Sequence, residues 1–221
     1  MQALGFPRPA GRPLRVLALG AHADDIEIGC GATLLHLVAT EPGLEVCWAV
    51  VAGEDEGRRE EATASAAELA EGAGDLQVAL GDFRDGWLPY AGGAVKEWVH
   101  ELRERLDPDV VLTHQPADLH QDHRLLAELA LNAFRDHLIL GFEIPKYDGD
   151  LGAPNLYVHA DEATCARKID IIRRHFRSQH DKPWFDDDVF RALMRLRGIE
   201  SRAPSGYAEA FYARKLVLGH Q

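Results

Sequence analysis

Short apolar runs recur along this chain and alternate with longer segments of helical spacing. Arg15-Val16-Leu17-Ala18-Leu19 is the first and stops at Gly20. Glu45 to Val51, Leu76 to Leu80, Val110 to Thr113, His137 to Ile144 and Leu156 to Val158 follow. Runs this short and this continuously apolar suit strands covered on both faces, the condition of a parallel sheet. Between them lie the helical segments: the apolar stretch Thr33 to Val38 opened by Gly29 and Gly31, then Gly57 to Glu71, Ala94 to Leu106, Asp122 to Phe134, Glu162 to Arg177 and Asp187 to Leu196. The last apolar run, Ala208 to Leu218, fits strand or helix equally. Such alternation predicts an α/β fold, a Rossmann-like, doubly wound, mostly parallel sheet with helices on both faces.

Residues 1–221 read as a single domain, with 1–13, rich in Pro, Gly and Arg, as a flexible N-terminal arm. The 36 acidic and 24 basic side chains give a formal charge of -12, which disfavours nucleic acid or an anionic membrane as partner. No stretch has the length of a membrane span, and no apolar leader precedes the first strand. Three scattered cysteines, Cys30, Cys47 and Cys165, argue against a disulfide framework and for a reducing cytoplasm.

Two of the runs end in chemistry. Gly20-Ala21-His22-Ala23-Asp24-Asp25 follows the first run, and His120-Gln121-Asp122-His123 follows the run at Val110. Strand exits are where α/β folds gather functional side chains. A histidine with two adjacent carboxylates, facing a second cluster of two histidines and a carboxylate, is the mixed N/O donor set of an open zinc site. Capping of the next helix accounts for one aspartate. It leaves the histidine and the second, mutually repelling carboxylate unexplained without a cation. A dinucleotide loop is excluded, because Leu34 stands where the third glycine of G-x-G-x-x-G belongs and two aspartates would repel a pyrophosphate.

These motifs resemble the PIG-L/LmbE-like family of zinc-dependent de-N-acetylases. The first family motif is matched from His22 through Asp24, Asp25 and Glu27 to Gly29, Gly31 and Thr33, and the second by His120-Gln121-Asp122-His123. Arg58 with Glu61, the loop residues Phe83, Asp85, Gly86 and Leu88, and the C-terminal Ser178-Gln179, Arg197-Gly198 and Tyr207 to Phe211 extend the likeness over most of the chain. Ala23 and Gln121 replace the usual prolines. Neither position supplies donor atoms, so the departures bear on loop rigidity and not on metal binding. The segment Glu143 to Asp150 is not a general family marker and is expected to shape the acceptor side of the pocket.

The resemblance implies that His22, Asp25 and His123 hold zinc, with ferrous iron as an alternative in the cell. It implies Asp24 as general base, and His120, oriented by Asp122, as oxyanion stabiliser or acid. Arg58 and Asp85 would hold sugar hydroxyls. On the residues alone, Arg58 reads nearly as well as a helix-surface salt bridge and Asp85 as support for its turn. His114 stands where it could line the pocket. Glu27, Gln179 and Glu209 are candidates for supporting the ligands from behind. The expectation is a cytoplasmic hydrolase removing an acetyl group from an N-acylated amino sugar such as N-acetylglucosamine or its glycoconjugates, with no nucleic acid partner, no membrane span and room for a homo-oligomer. An amidase for a thiol-sugar conjugate and a non-catalytic metal-binding relative are the alternatives, and the intact Asp24 speaks against the second.

Overall fold

The structure, a computed structural model, describes residues 3–7 and 9–217. Seven strands form one sheet in the order β3-β2-β1-β4-β5-β7-β6. They are β1 (Arg15–Gly20), β2 (Glu45–Val50), β3 (Asp75–Leu80), β4 (Val110–His114), β5 (Leu138–Phe142), β6 (Leu156–Ala160) and β7 (Tyr207–Ala213). The first five are parallel, and β7 lies antiparallel between β5 and β6. The helices are α1 (Asp25–Thr40), α2 (Glu56–Leu69), α3 (Gly92–Arg105), α4 (Gln121–Ala133), α5 (Glu162–His175) and α6 (Asp187–Glu200).

Alternate residues of the central strands feed two cores. Val16, Ala18, Trp48 and Leu112 meet α1, α2, α5 and α6 on one face. Leu17, Leu19, Ala49 and Val111 meet α3 and α4 on the other. Strands buried on both sides explain why their sequences are apolar without alternation, and the doubly wound reading holds.

The elements fall close to their expected positions, with one instructive exception. Helix α1 begins at Asp25, four residues before the glycines expected to open it. Gly29 is a packing glycine: a Cβ there would lie 2.3 Å from the Phe142 ring. Cys30 leaves the helical region (φ -145°, ψ 18°), so α1 is broken just past that contact. The break frees backbone groups, which a buried ion pair satisfies. Ala32 and Thr33 donate their N–H groups to the Glu209 carboxylate at 2.9 and 2.7 Å. Lys168 Nζ donates to the Ile28 carbonyl and to Glu209, both at 2.6 Å. Glu209 thus supports α1 by bridging the break, at a site where a side chain inserts into the hydrogen-bond ladder.

The apolar run near the C-terminus is strand β7; Leu218 lies outside the described residues, as do Met1, Gln2 and Arg8 of the arm. Within the arm, Phe6 packs on the core and Arg12 grips both carboxylate oxygens of Asp109 at 2.8 Å. The three cysteines are free and buried. Among the described residues no helix is long and apolar enough to cross a membrane.

Glu209→Ala would strand the Lys168 ammonium, which is 3% exposed, together with two backbone donors. The expected cost is about 3–5 kcal/mol, read as a lowered urea midpoint. A midpoint equal to that of the parent protein would show that the break in α1 needs no such support.

Candidate active site

The sheet order places β1 beside β4 while the chain runs outward from β1 to β2 and β3 and only then returns. This reversal opens a crevice at the carboxyl ends of β1 and β4, the usual ligand position of such sheets. The first cluster leaves β1 and enters α1 there. The second leaves β4 and enters α4.

His22, Asp25 and His123 converge. His22 Nδ1 lies 3.0 Å from His123 Nε2 and 3.2 Å from Asp25 Oδ2, and His123 Nε2 lies 3.3 Å from Asp25 Oδ1. Zinc–ligand bonds of about 2.0–2.1 Å place neighbouring tetrahedral ligands about 3.3 Å apart, so the spacing fits one small cation. The outer nitrogens decide the matter. His22 Nε2 faces Asp122 Oδ2 and Asp85 Oδ1, both at 3.1 Å, and His123 Nδ1 faces Asp118 Oδ2 at 3.0 Å. Each carboxylate draws a ring hydrogen to its own side, which leaves lone pairs on the two inner nitrogens. Carboxylate-oriented imidazoles are the usual support of a metal ligand, and the donor set present fits a divalent zinc or iron.

Asp122 therefore does something other than expected. Its carboxylate does not orient His120; it holds His22 and accepts N–H groups from Gly86 at 2.7 Å and Leu88 at 3.2 Å. His120 is positioned by capping α4: its Nδ1 accepts the Asp122 backbone N–H at 3.3 Å, which puts the ring hydrogen on Nε2. Donor atoms that lie within 4.8 Å of one another also group His22 with His120 and His123, Asp25 with His114 and His123, and His22 with Asp85 and Asp122. Asp118 escaped sequence reading, although an acid two residues before His120 in the same strand-exit loop was a usable signal. It is itself held by the His120 N–H at 2.8 Å and Lys146 Nζ at 3.0 Å.

Neither aspartate caps α1. Asp25 accepts the His22 N–H at 2.6 Å. Asp24 gives Oδ1 to Arg58 at 2.8 Å, while its buried Oδ2 has no partner among the described residues. Arg58 also donates to Glu61 at 2.9 Å and Ser178 at 3.2 Å, and lies 5.5 Å from the Phe176 ring centroid. Its guanidinium thus clamps Asp24 from within the protein, with three hydrogen bonds to protein groups out of five N–H donors. Gln179 joins this group through Ser178 Oγ at 2.9 Å. Asp85 reaches His22 while its side chain stays 72% exposed, beside Gly86 at φ 77°.

His114 does line the site. Its Nε2 accepts the Ala21 N–H at 3.0 Å and lies 3.1 Å from Asp25 Oδ2, and its ring stacks on His123 at 3.9 Å. Burial, reinforced by His123, depresses its pKa to about 4, so it is neutral. Burial and the neighbouring imidazoles likewise lower that of His120. For His22 and His123 burial acts in the same direction, but Asp25 and the orienting carboxylates outweigh it and raise both. The Asp85 carboxyl, hydrogen-bonded by His22, falls to about 2. Glu27 is fully buried, and burial lifts its pKa well above the carboxylate range.

Raised histidines mean that the metal-free cluster carries protons a metal must expel. In the absence of metal they stabilise the fold most below the unfolded histidine value of about 6.5, and the contribution fades as pH rises through the higher folded values. Zinc affinity should fall on acidification, starting at a pH where an ordinary histidine is still neutral. Chelator competition between about pH 8.5 and about pH 5.5 measures this; a flat profile down to 6.5 with no proton release contradicts it. Asp118→Asn should weaken zinc binding about 10–100-fold by the same assay. Unchanged affinity would remove Asp118 from the support of His123.

The GlcNAc-PI de-N-acetylase family, PIG-L, matches residues 17–134. A protein of Escherichia coli K12 named as the uncharacterized deacetylase YaiS is 29% identical over 174 residues, covering 72% of this chain and 89% of its own. The N,N'-diacetylchitobiose deacetylase of Pyrococcus horikoshii shares the fold with a TM-score of 0.71 at 23% identity, over 95% of this chain and 87% of that one. The conserved protein TT1542 of Thermus thermophilus does so at 0.68 and 25%, over 94% and 97%. GalB, the 4-carboxy-2-hydroxymuconate hydratase of Pseudomonas putida, does so at 0.72 and 16%, over 94% and 99%. The family match takes in both strand-exit clusters and more than half of the 221 residues, and the chain belongs to the PIG-L de-N-acetylase family.

Proposed function

We propose that this protein is a metal-dependent hydrolase that removes an N-acetyl group from an amino sugar or glycoconjugate. One observation supports the reading above others: a buried carboxylate with one oxygen clamped and the other unpaired stands next to three converging ligand groups. His22, Asp25 and His123 would hold the ion, zinc or iron. When bound, such an ion supplies Lewis acidity toward the amide carbonyl and lowers the pKa of water.

The protein's own groups account for the proton traffic. Asp24 takes the proton of the attacking water at Oδ2, because Arg58 occupies Oδ1 and fixes the carboxylate. The same oxygen then delivers the proton to the departing amine. Neutral His120, carrying its hydrogen on Nε2, donates a hydrogen bond to the developing oxyanion in preference to acting as an acid. Asp85, largely exposed at the same centre, remains available to a sugar hydroxyl. The net charge of -12 favours a neutral or zwitterionic small molecule over a polyanion. Free cysteines accord with a reducing compartment, and we assign the enzyme to the cytoplasm.

The test is mass spectrometry of N-acetyl sugar conjugates incubated with zinc-loaded protein, where loss of the acetyl mass is expected. Asp24→Asn should retain metal stoichiometry and lose turnover by roughly 10²–10⁴-fold. Loss of metal from this variant would make Asp24 a ligand and overturn its role as base.

A further inference from the structure

The loop that carries Asp85 also presents aromatic surface that the proposed chemistry does not use. Trp87 is 49% exposed and Tyr90 76%. Their ring centroids lie 5.3 Å apart with the planes tilted by 51°, and the Arg84 guanidinium sits 4.7 Å from the indole centroid. The hydrogen bond from the Tyr90 N–H to the Trp87 carbonyl, at 3.0 Å, accounts for the contact between the rings as a local turn. It does not account for leaving both in water.

What distinguishes this pair from scattered surface aromatics is how the loop is fixed. Asp85 touches His22, and the N–H groups of Gly86 and Leu88 hold Asp122. Gln121 Nε2 ties the Gly86 carbonyl at 2.5 Å. Residues 85, 86 and 88 are all bound to the metal-ligand support, and Trp87 stands between them. The backbone that carries Trp87 is therefore anchored beside the active site, and the Arg84 cation lies against the exposed ring. A ring immobilised beforehand loses little freedom when a ligand stacks on it.

We propose that Trp87 and Tyr90 form a stacking platform for an uncharged ring with an apolar face, attached to the sugar that bears the acetamido group. The proposal rests on the amide-hydrolysis reading of the site. The apolar face of a second pyranose and an aryl aglycone share this chemistry. Charged groups are disfavoured here: Asp85 faces the site with its carboxyl exposed, and Arg84 already faces Glu54 at 3.9 Å.

The experiment compares three substrates: the methyl glycoside of N-acetylglucosamine, its phenyl glycoside, and the disaccharide with glucose in place of the methyl group. In the zinc-loaded parent protein, kcat/KM for the phenyl or glucosyl compound should exceed that for the methyl glycoside by on the order of tenfold, the scale of one aromatic stacking contact. Trp87→Ala should bring that ratio close to one, and Trp87→Phe should restore most of it. Whichever compound shows the gain identifies the ring as aryl or sugar. A ratio near one in the parent protein, or a gain that persists in Trp87→Ala, overturns the platform. If none of the three is hydrolysed, the deacetylase reading falls separately, and the platform is judged by equilibrium binding of the phenyl glycoside. About tenfold weaker binding to Trp87→Ala sustains it, and equal dissociation constants remove it.

Discussion

Two imidazole nitrogens face each other across 3.0 Å with their lone pairs inward, and the surrounding architecture enforces that confrontation. Asp122 and Asp118 claim the outer nitrogens of His22 and His123, so neither ring can turn its hydrogen inward without abandoning a buried carboxylate. A buried polar group left unpaired costs about 1–3 kcal/mol, and more when charged, so the inner position demands a proton or a metal cation. The carboxylates are themselves fixed by the amides of Gly86, Leu88 and His120 and by Lys146. Support thus runs from loop backbone to carboxylate to imidazole.

The neighbouring aspartates at the mouth of α1 are equally buried, at 4% and 2% exposure, yet they meet different counter-charges. Asp25 faces three imidazoles, which after its burial is considered still hold its carboxyl well below the usual range. Asp24 faces one guanidinium, which also donates from Nη1 to Glu61 and Ser178. This separation of partners gives adjacent carboxylates different surroundings, as the proposed roles of ligand and base require. It also shows why the acidity of the chain says little about its centre: Asp24, Asp25, Asp118 and Asp122 each meet a cation or an imidazole, as Asp118 does with Lys146 and His123.

Strands were legible because burial on both faces writes itself into sequence as uninterrupted apolar runs. The convergence of His22, Asp25 and His123 was legible because histidine and aspartate cluster at two strand exits. What stayed hidden was long-range polar pairing. Arg58 and Asp24 are 34 positions apart, and Lys168 and Glu209 are 41 apart; neither pairing leaves a periodic trace. Asp118 and Lys146 are single residues whose meaning depends on which segments the fold brings together. Gly29 misled for a related reason. Its absent Cβ answers to Phe142 on a distant strand, and not to the local start of a helix.

The same fold is shared by a hydratase at a TM-score of 0.72 and by a deacetylase at 0.71, so the sheet and helices do not choose the reaction. That choice must lie in side chains and in the loops that frame them. Here those loops are not independent of the metal centre. The segment from Asp85 to Leu88 holds Asp122, which holds His22. Lys146 holds Asp118, which holds His123, and Asp150 fastens the same segment to Lys146 and to the Leu119 N–H. A substitution that moves either loop backbone therefore alters the orientation of His22 or His123. Trp87 and Tyr147 are exposed side chains on these same segments and take no part in those hydrogen bonds.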